Sequence, residues 1–243
     1  MKSMSPIAWW RFELLFSDWR LFGKAFLVTL AVSGLSLALA LILGMIFGLL
    51  SRSKYRVFRI IARVYVELFQ NIPLVIIAFF MFNALPYANI MLSTMTIGAL
   101  GIGLYHGAYI SEVVRAGIES IPQGQFEAAN SQGFSYFSTM IHIILPQTIT
   151  IILPPLTNQA VNLIKNTSVL AMISGGDLMY RANSWAASGS SSYAPALIVT
   201  GALYFIVCYP LATAARAYEK HIINAGLVTA ATEDAIVAVT DSE

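Results

Sequence analysis

The first long apolar segment sets the strongest limit on how this chain folds. Residues 25–50 contain no acidic, basic or histidine side chain. About 20 consecutive apolar residues are enough for a helix to cross the hydrocarbon core of a bilayer. Over the whole chain, 58% of residues are hydrophobic, 11% are charged and the mean hydropathy is +0.73. Soluble domains contain fewer hydrophobic residues and about 25% charged ones, so the sequence predicts an integral membrane protein.

Further apolar segments follow at intervals along the chain, separated by polar or basic residues. Together they predict an all-α fold, a membrane helical bundle of five transmembrane helices. The expected spans are residues 25–50, 64–85, 90–111, 147–173 and 195–213.

A proline interrupts the second expected span. Pro73 has no amide hydrogen to donate to the carbonyl of Phe69, so the helix should kink near Gln70 and Asn71. Backbone polar groups that a kink leaves free inside a bilayer normally line a cavity. Gln70 and Asn71 are therefore candidates for the wall of a solute pathway.

Basic residues predict the orientation in the membrane. The densest basic cluster, between Arg52 and Arg63, directly follows the first span, and the positive-inside bias assigns it to the cytoplasm. With five spans, the N-terminus is then outside and the C-terminus is cytoplasmic. Residues 1–24 are rich in Trp and Phe and are expected to lie at the bilayer interface, and residues 222–243 are expected to form a mobile cytoplasmic tail. No short apolar core with a cleavage site precedes residue 25, so we expect the first span to be retained.

The fourth expected span carries a polar face. Its amides and one ammonium group fall within an arc of about 120° on a helix, and burying them against lipid would cost several kcal/mol. The face therefore contacts protein or water. One hypothesis is a pocket for a zwitterionic solute, with the lysine as partner of a carboxylate; the alternative is hydrogen bonding between helices or a dimer seam. The residues are Asn158, Gln159, Asn162, Lys165 and Asn166.

The sequence lacks the motifs of several other functions. It has no GxxxxGK[ST] phosphate-binding loop, no zinc-ligand spacing and no clustered acid, base and nucleophile, so we expect neither a catalytic centre nor a metal site. A net charge of +2 is too small to suggest nucleic-acid binding. The single cysteine, Cys208, excludes an intramolecular disulfide, and His106 within the third span is expected to be structural.

A polar segment at residues 127–146 separates the third and fourth spans. Its first residues favour helix, whereas Gly133 permits a sharp turn. We therefore expect a short helix and a turn, forming a compact helix pair parallel to the membrane face. The small side chains of Ala128 and Ala129 would allow a partner to approach closely.

The spacing EAA, three residues, Gly, nine residues, IxLP resembles the cytoplasmic coupling loop of the membrane subunits, or permeases, of ATP-binding-cassette (ABC) importers. Residues 65–74, 107–129 and 153–168 resemble the polar amino acid uptake branch of that family, so the resemblance covers nearly the whole chain. It implies that residues 25–221 form an ABC transporter transmembrane domain. The coupling residues that it implies are Glu127, Ala128, Ala129, Gly133, Ile143, Leu145 and Pro146.

The resemblance also implies partners in the inner or plasma membrane. A separate ATPase subunit would bind ATP and Mg²⁺ and hold the coupling loop, and this chain would carry no cofactor. A second permease chain, identical or paralogous, would complete the pore, and an extracytoplasmic binding protein would deliver a polar amino acid. Relatives often have an acidic residue at the position of Gln159, so an acidic or neutral solute is expected here rather than a cationic one.

Two other functions differ from an importer permease in what they require. A channel or ion-coupled transporter would need intramembrane carboxylates, but only Glu67 lies near a span. A membrane-embedded enzyme would need a catalytic set of side chains. Co-purification with an ATPase subunit would distinguish an importer permease from both.

Overall fold

A computed structural model describes Ser5, residues 7–190 and residues 193–224, and it confirms the all-α fold class within those residues. They form ten α-helices, two π-helical turns and one 3-10 segment, without a β-strand. The α-helices are α1 (Trp9–Ser17), α2 (Trp19–Ser51), α3 (Arg56–Gln70), α4 (Leu74–Tyr87), α5 (Thr94–Glu119), α6 (Gln123–Ser131), α7 (Tyr136–Thr139), α8 (Leu145–Asn166), α9 (Leu178–Trp185) and α10 (Tyr193–Asn224). The π-helical turns are Met140–Ile144 and Ala186–Ser190, and the 3-10 segment is Thr167–Ile173.

Three helical segments of the described chain are long and apolar enough to cross a membrane: Trp19–Ser51, Tyr136–Ile173 and Tyr193–Ile223. The pair α3 and α4 makes a fourth if its two halves form one broken span. Helix α5, which contains most of the third expected span, is not among them. Its glycines and its polar residues, such as His106, lower its hydropathy. The count of five spans therefore stays a prediction.

The break between α3 and α4 is larger than the kink expected from the sequence. The two helix axes are bent by 96°, and Asn71, Ile72 and Pro73 separate them. Proline disfavours helical backbone at the residue before it and removes one amide donor, so a new helix begins after Pro73. The Pro73 carbonyl then accepts from the amide of Ile76 at 2.9 Å.

Two compact units divide the described residues. Unit 1 contains the described residues up to Ala40, together with Asn71–Tyr105 and Asn162–Pro210. Unit 2 contains Leu41–Gln70, His106–Val161 and the described residues from Leu211 onward.

In unit 1 the N-terminal region is packed more firmly than a separate interfacial segment would be. Leu15 of α1 is 1% exposed, and Phe22 contacts Trp185 edge to face with ring centroids 6.4 Å apart. The indole nitrogen of Trp185 donates to Asp18 Oδ2 at 3.0 Å. Helix α2 begins at Trp19, so the boundary expected after residue 24 falls inside a helix.

Glycines allow close helix packing in both units. In unit 1, a Cβ on Gly98 would lie 2.8 Å from the Leu170 side chain. In unit 2, a Cβ on Gly48 would lie 2.7 Å from Val114 and 3.0 Å from the Ser111 carbonyl oxygen. The helices approach at these points because the glycines present only backbone.

The polar stretch 174–194, between the fourth and fifth expected spans, contains helix α9. Asp177 is its N-cap: the carboxylate accepts from the amides of Met179 at 2.9 Å and Tyr180 at 3.4 Å. An aspartate is a recognisable helix start, although the eight residues that follow are too few to show a clear period. The tail expected from residue 222 lies outside the described residues after Asn224.

Candidate functional site

The coupling segment in unit 2 is residues 123–146, and it begins with the short helix predicted from the sequence. Helix α6 contains Glu127, Ala128 and Ala129, and it ends at Ser131. Pro122, with φ −55° and ψ 135°, occupies the N-cap position, where a proline introduces the helix without losing an internal hydrogen bond.

Gly133 forms the predicted turn. Its φ of 81° lies in the left-handed region, which glycine adopts without the steric cost that a Cβ brings. The Gly133 amide donates to the Asn130 carbonyl at 3.0 Å, and the Phe134 amide donates to the Ala129 carbonyl at 3.1 Å. These bonds close the end of α6 in a Schellman-type cap, which fixes the direction of the following chain.

Burial distinguishes the two alanines of the EAA motif. Glu127 and Ala128 are exposed, whereas Ala129 is only 3% exposed. The expectation that both alanines are open to a partner is therefore wrong for Ala129. Helix α6 contacts α7 and the π-helical turn Met140–Ile144, and this packing covers one face of α6. The motif alone does not reveal these neighbours.

An exposed aromatic patch, which the motif did not predict, follows the turn. Phe134, Tyr136 and Phe137 are 38%, 52% and 73% exposed. Monomeric soluble surfaces rarely expose such side chains together, and aromatic residues are enriched at the centres of interfaces. The sequence signal for this patch is FSYF at residues 134–137, three aromatic residues within a polar segment. The Tyr136 hydroxyl donates to the Arg52 carbonyl at 3.4 Å.

The IxLP end of the segment lies where the π-helical turn meets α8. Pro146 has no amide hydrogen to donate to the carbonyl of His142. The Leu145 amide donates to the Met140 carbonyl, five residues back, which is the π-helical pattern. Ile143 and Leu145 are half-buried, Pro146 is exposed and Ile144 is fully buried. The motif thus marks a change of helix type at the start of a long helix.

All five polar residues of the expected pathway face lie on helix α8. Asn158 and Gln159 belong to unit 2, whereas Asn162, Lys165 and Asn166 belong to unit 1. Lys165 is exposed, and the three asparagines are half-buried.

Gln159 has a partner within unit 2. It is 7% exposed, and its Oε1 lies 3.2 Å from Nδ1 of His106, which is 2% exposed. This contact between α5 and α8 is the kind of inter-helix hydrogen bond that the alternative hypothesis describes. It also gives His106 a buried polar partner, as expected for a structural histidine.

Gln70 and Asn71 stand at the break between α3 and α4. Gln70 is the last residue of α3 and belongs to unit 2, where its Nε2 donates to the Ala108 carbonyl at 3.4 Å. Asn71 is exposed and belongs to unit 1. The sequence located this break correctly through Pro73.

A chain of ion pairs connects the end of α2 with the end of α5 in unit 2. Arg52 contacts Glu119 at 2.7 Å, and Arg115 contacts Glu119 at 2.6 Å and Glu112 at 2.7 Å. The hydrogen bond to Glu112, aided by the charges of both glutamates, raises the pKa of Arg115 above its usual value. Arg115 is therefore a permanent cation held between two carboxylates. The described residues contain no group of three or more potential metal ligands.

Comparison with known proteins identifies the family. The family model described as "Binding-protein-dependent transport system inner membrane component" matches residues 40–224. The chain is 36% identical over 210 residues to the probable glutamine ABC transporter permease protein GlnM of Bacillus subtilis (strain 168), covering 86% of this chain and 97% of that protein. It is also 36% identical over 198 residues to the putative glutamine transport system permease protein GlnP of Rickettsia bellii (strain RML369-C), covering 81% and 90%.

Solved structures agree with this match. The structure titled "Crystal structure of an amino acid ABC transporter with histidines" superposes with a TM-score of 0.79 at 26% identity, covering 86% of this chain and 98% of that chain. An inward-facing structure of the MetNI methionine ABC transporter shows the same fold, with a TM-score of 0.71 at 17% identity over 84% and 97% of the two chains. The family match spans most of the sequence. The chain therefore belongs to the binding-protein-dependent transport system inner membrane components, and it is a multi-pass, non-catalytic permease subunit of an ABC importer.

Proposed function

We propose that this permease carries an uncharged polar amino acid across the inner membrane, driven by an ATPase subunit that docks on the coupling segment. The family implies an ATPase and a binding protein as partners. The ATPase would bind ATP and Mg²⁺, and an extracytoplasmic binding protein would deliver the amino acid. Glutamine appears in the names of several relatives, which supports a neutral polar solute.

The geometry of the coupling segment is the observation that carries the ATPase assignment. Helix α6 exposes Glu127 and Ala128, its end is fixed by the left-handed Gly133, and the neighbouring Phe137 is 73% exposed. A short, rigidly capped helix with an aromatic patch can fill a groove in a partner and transmit its movement as a rigid body. Ala129, Ile143 and Leu145 would support this surface from inside, with Pro146 at the start of α8.

The solute pathway in this proposal follows the polar face of α8. Asn158, Asn162 and Asn166 would supply amide donors and acceptors, and Lys165 would attract the carboxylate of the amino acid. Gln159 would position His106 rather than contact solute directly, because the two side chains already face each other. Gln70 and Asn71 would contribute at the break in the second span, where backbone groups are left free.

Assembly and orientation complete the proposal. Two permease chains, identical or paralogous, would enclose the pathway, since five helices are too few to surround it. The N-terminus would be outside and the C-terminus cytoplasmic, as the basic residues after α2 favour. The coupling segment then lies on the cytoplasmic side, where an ATPase has access to ATP.

A matched pair of variants at Gly133 tests the coupling surface. Asparagine adopts left-handed backbone readily and aspartate is nearly isosteric with it, so the two differ mainly by one negative charge. A Cβ at Gly133 meets no atom of this chain within 4 Å, so neither side chain should disturb the permease itself. We expect Gly133→Asp to abolish ATP-driven uptake and ATPase co-purification, and Gly133→Asn to retain most of both.

The measurements are co-purification from membranes and amino acid uptake into proteoliposomes containing the binding protein and ATPase. Protein level in the membrane serves as the insertion control for both variants. Persistence of uptake and co-purification in Gly133→Asp would show that this segment does not couple the two subunits. Uptake of glutamine with competition by glutamate and arginine would test the solute class separately.

A further inference from the structure

Unit 2 contains a charged cavity that shares only Gln70 with the proposed solute pathway and is otherwise not used by the proposed transport function. Its volume is about 700 Å³, and its walls come from the end of α2, one face of α3 and the end of α5. Arg56, Arg59 and Arg63 line it from α3, and Glu112 and Arg115 line it from α5. These α3 residues recur every three or four positions, so they share one helix face.

The cavity carries more positive than negative charge. Five arginines and three glutamates line it, which gives a balance of +2. Glu112 and Glu119 are already engaged by Arg115 and Arg52.

Two of the cavity arginines are available to bind a ligand. Arg59 donates to the carbonyls of Ser53 and Lys54 at 2.8 and 3.1 Å and so holds the loop before α3. Arg56 and Arg63 form no ion pair within the described part of the chain. These two cations are therefore available to an anion.

An exposed apolar surface adjoins these arginines on the same helix. Ile60, Ile61 and Val64 are 50%, 47% and 60% exposed, and Ile60 also lines the cavity. Helix α3 is thus amphipathic, with arginines on its polar face, which is the composition of helices that lie in a membrane interface. A free anion would need only the arginines, whereas a lipid would use both surfaces.

We propose that this cavity binds the headgroup of an anionic phospholipid, with its phosphate between Arg56 and Arg63 and its acyl chains along Ile60, Ile61 and Val64. Arginine matches phosphate oxygens with paired N–H donors, and anionic lipids are attracted by such basic groups near a bilayer. The site depends neither on which amino acid is transported nor on how the ATPase docks. It would hold α3 at the membrane surface beside the break at Pro73.

Lipid titration of the full-length protein, followed by native mass spectrometry, measures this binding. Phosphatidylglycerol is the anionic probe and phosphatidylcholine the zwitterionic one. Each basic residue contributes about fivefold to the affinity for an anionic lipid, so Arg56→Gln with Arg63→Gln should weaken phosphatidylglycerol binding roughly 25-fold. Lys54→Gln is the matched control, because it removes a positive charge two residues before α3 begins, at a side chain that does not line the cavity, and it should change binding less than twofold.

Two further variants separate charge from shape and from folding. The pair Arg56→Lys with Arg63→Lys keeps both charges and should retain most of the binding. This result would show that the double glutamine variant loses affinity because of the missing charges and not because of misfolding. Ile60→Gln should weaken phosphatidylglycerol binding several-fold but leave the binding of inorganic phosphate unchanged.

Four results would overturn the proposal. They are equal binding of phosphatidylglycerol and phosphatidylcholine, unchanged phosphatidylglycerol binding in the double glutamine variant, and full displacement of the lipid by millimolar inorganic phosphate, which would indicate a free-anion site. The fourth concerns a second copy of the chain. Disulfide-linked dimers of Val64→Cys in a Cys208→Ala background would show that another permease covers the apolar surface.

Discussion

Asp177 in unit 1 is held between two opposing effects. Its side chain is fully buried, and burial raises the pKa of its carboxyl to about 6 from the usual 3.8. The amides of Met179 and Tyr180 favour the charged form but offset only part of that shift. Because the folded protein binds this proton more tightly than the unfolded chain does, the charged carboxylate destabilises the fold at neutral pH.

Replacing Asp177 with asparagine should therefore stabilise the protein at pH 7. Asparagine is as good an N-cap as aspartate, and it brings no charge into the buried site. The gain should be on the order of 2–3 kcal/mol at pH 7 and should disappear as the pH falls from about 6 to about 4, where the wild-type carboxyl becomes protonated. Thermal unfolding in detergent across this pH range measures it.

The difference between wild type and variant isolates Asp177 from the other carboxylates. Asp177→Ala loses the cap as well as the charge, and it should be about 1 kcal/mol less stable than Asp177→Asn. A constant difference between wild type and Asp177→Asn from pH 4 to pH 7 would show that this carboxyl does not titrate in that range.

Asn162 offers the sharpest test of the proposed solute pathway at a single residue. Asn162→Leu should remove hydrogen bonds worth about 0.5–1.5 kcal/mol each and lower uptake several-fold, while ATPase co-purification stays intact. Thr157→Val on the same helix is the control, since the Thr157 hydroxyl only donates to the Leu153 carbonyl. Loss of subunit assembly in Asn162→Leu would favour the helix-packing or dimer alternative.

Single residues differ in how far the sequence could predict them. The left-handed backbone of Gly133 was predictable, because helices commonly end with a left-handed residue and the motif has its glycine at that position. The burial of Ala129 and the contact of Gln159 with His106 were not. The contact of Gln159 joins it to a residue 53 positions away, and the burial of Ala129 depends on how the chain after Gly133 packs against α6. Helical spacing identifies a face but not what covers it.

At the scale of elements, close packing in unit 1 depends on one glycine of α5. Gly98 lies against Leu170 of the 3-10 segment, which is fully buried. Gly101, one turn further along α5, has ordinary contact distances of 3.6 Å to Met81 and 3.8 Å to Ile77. The same helix therefore offers a crowded glycine and an open one.

Gly98→Ala should destabilise the protein by about 1–3 kcal/mol through overpacking, whereas Gly101→Ala should be neutral or slightly stabilising. All three nearest atoms to a Cβ at Gly98 are Leu170 atoms beyond its Cβ. Leu170→Ala should therefore relieve the crowding, and the double variant should be more stable than the sum of the two single effects by about 1 kcal/mol. Thermal unfolding of the four proteins completes the cycle, and additive effects would argue against this contact.

Elements were predicted best where one residue determines the backbone. Pro73 located the break in the second span, although not its 96° bend, because the bend depends on where α3 and α4 each find packing. The π-helical turn before α8 was not predicted. Pro146, two residues after that turn, was part of the motif, but a proline near a helix start usually signals an ordinary first turn.

At the scale of the whole molecule, hydropathy and basic residues predicted a membrane bundle, and the family match confirms an inner-membrane permease. Hydropathy alone does not give the number of spans, because α5 contains glycines and a buried histidine that only packing against other helices can accommodate. Such a helix can cross a bilayer inside a bundle without being apolar enough to do so alone. Accessibility from each side of the membrane distinguishes the two cases.

Single cysteines at three positions should label from opposite sides if five spans are present. Cys208 is the one native cysteine, so Cys208→Ala provides a clean background. Tyr87→Cys, at the last residue of α4, and Ser190→Cys, before α10, should react with an impermeant maleimide from outside, whereas Gln123→Cys should react only after permeabilisation. Tyr87 is 92% exposed and Gln123 is exposed, so both positions are accessible. Labelling of Tyr87→Cys and Gln123→Cys from one side would mean that α5 does not cross, and labelling of Gln123→Cys and Ser190→Cys from one side would exclude a span at Tyr136–Ile173.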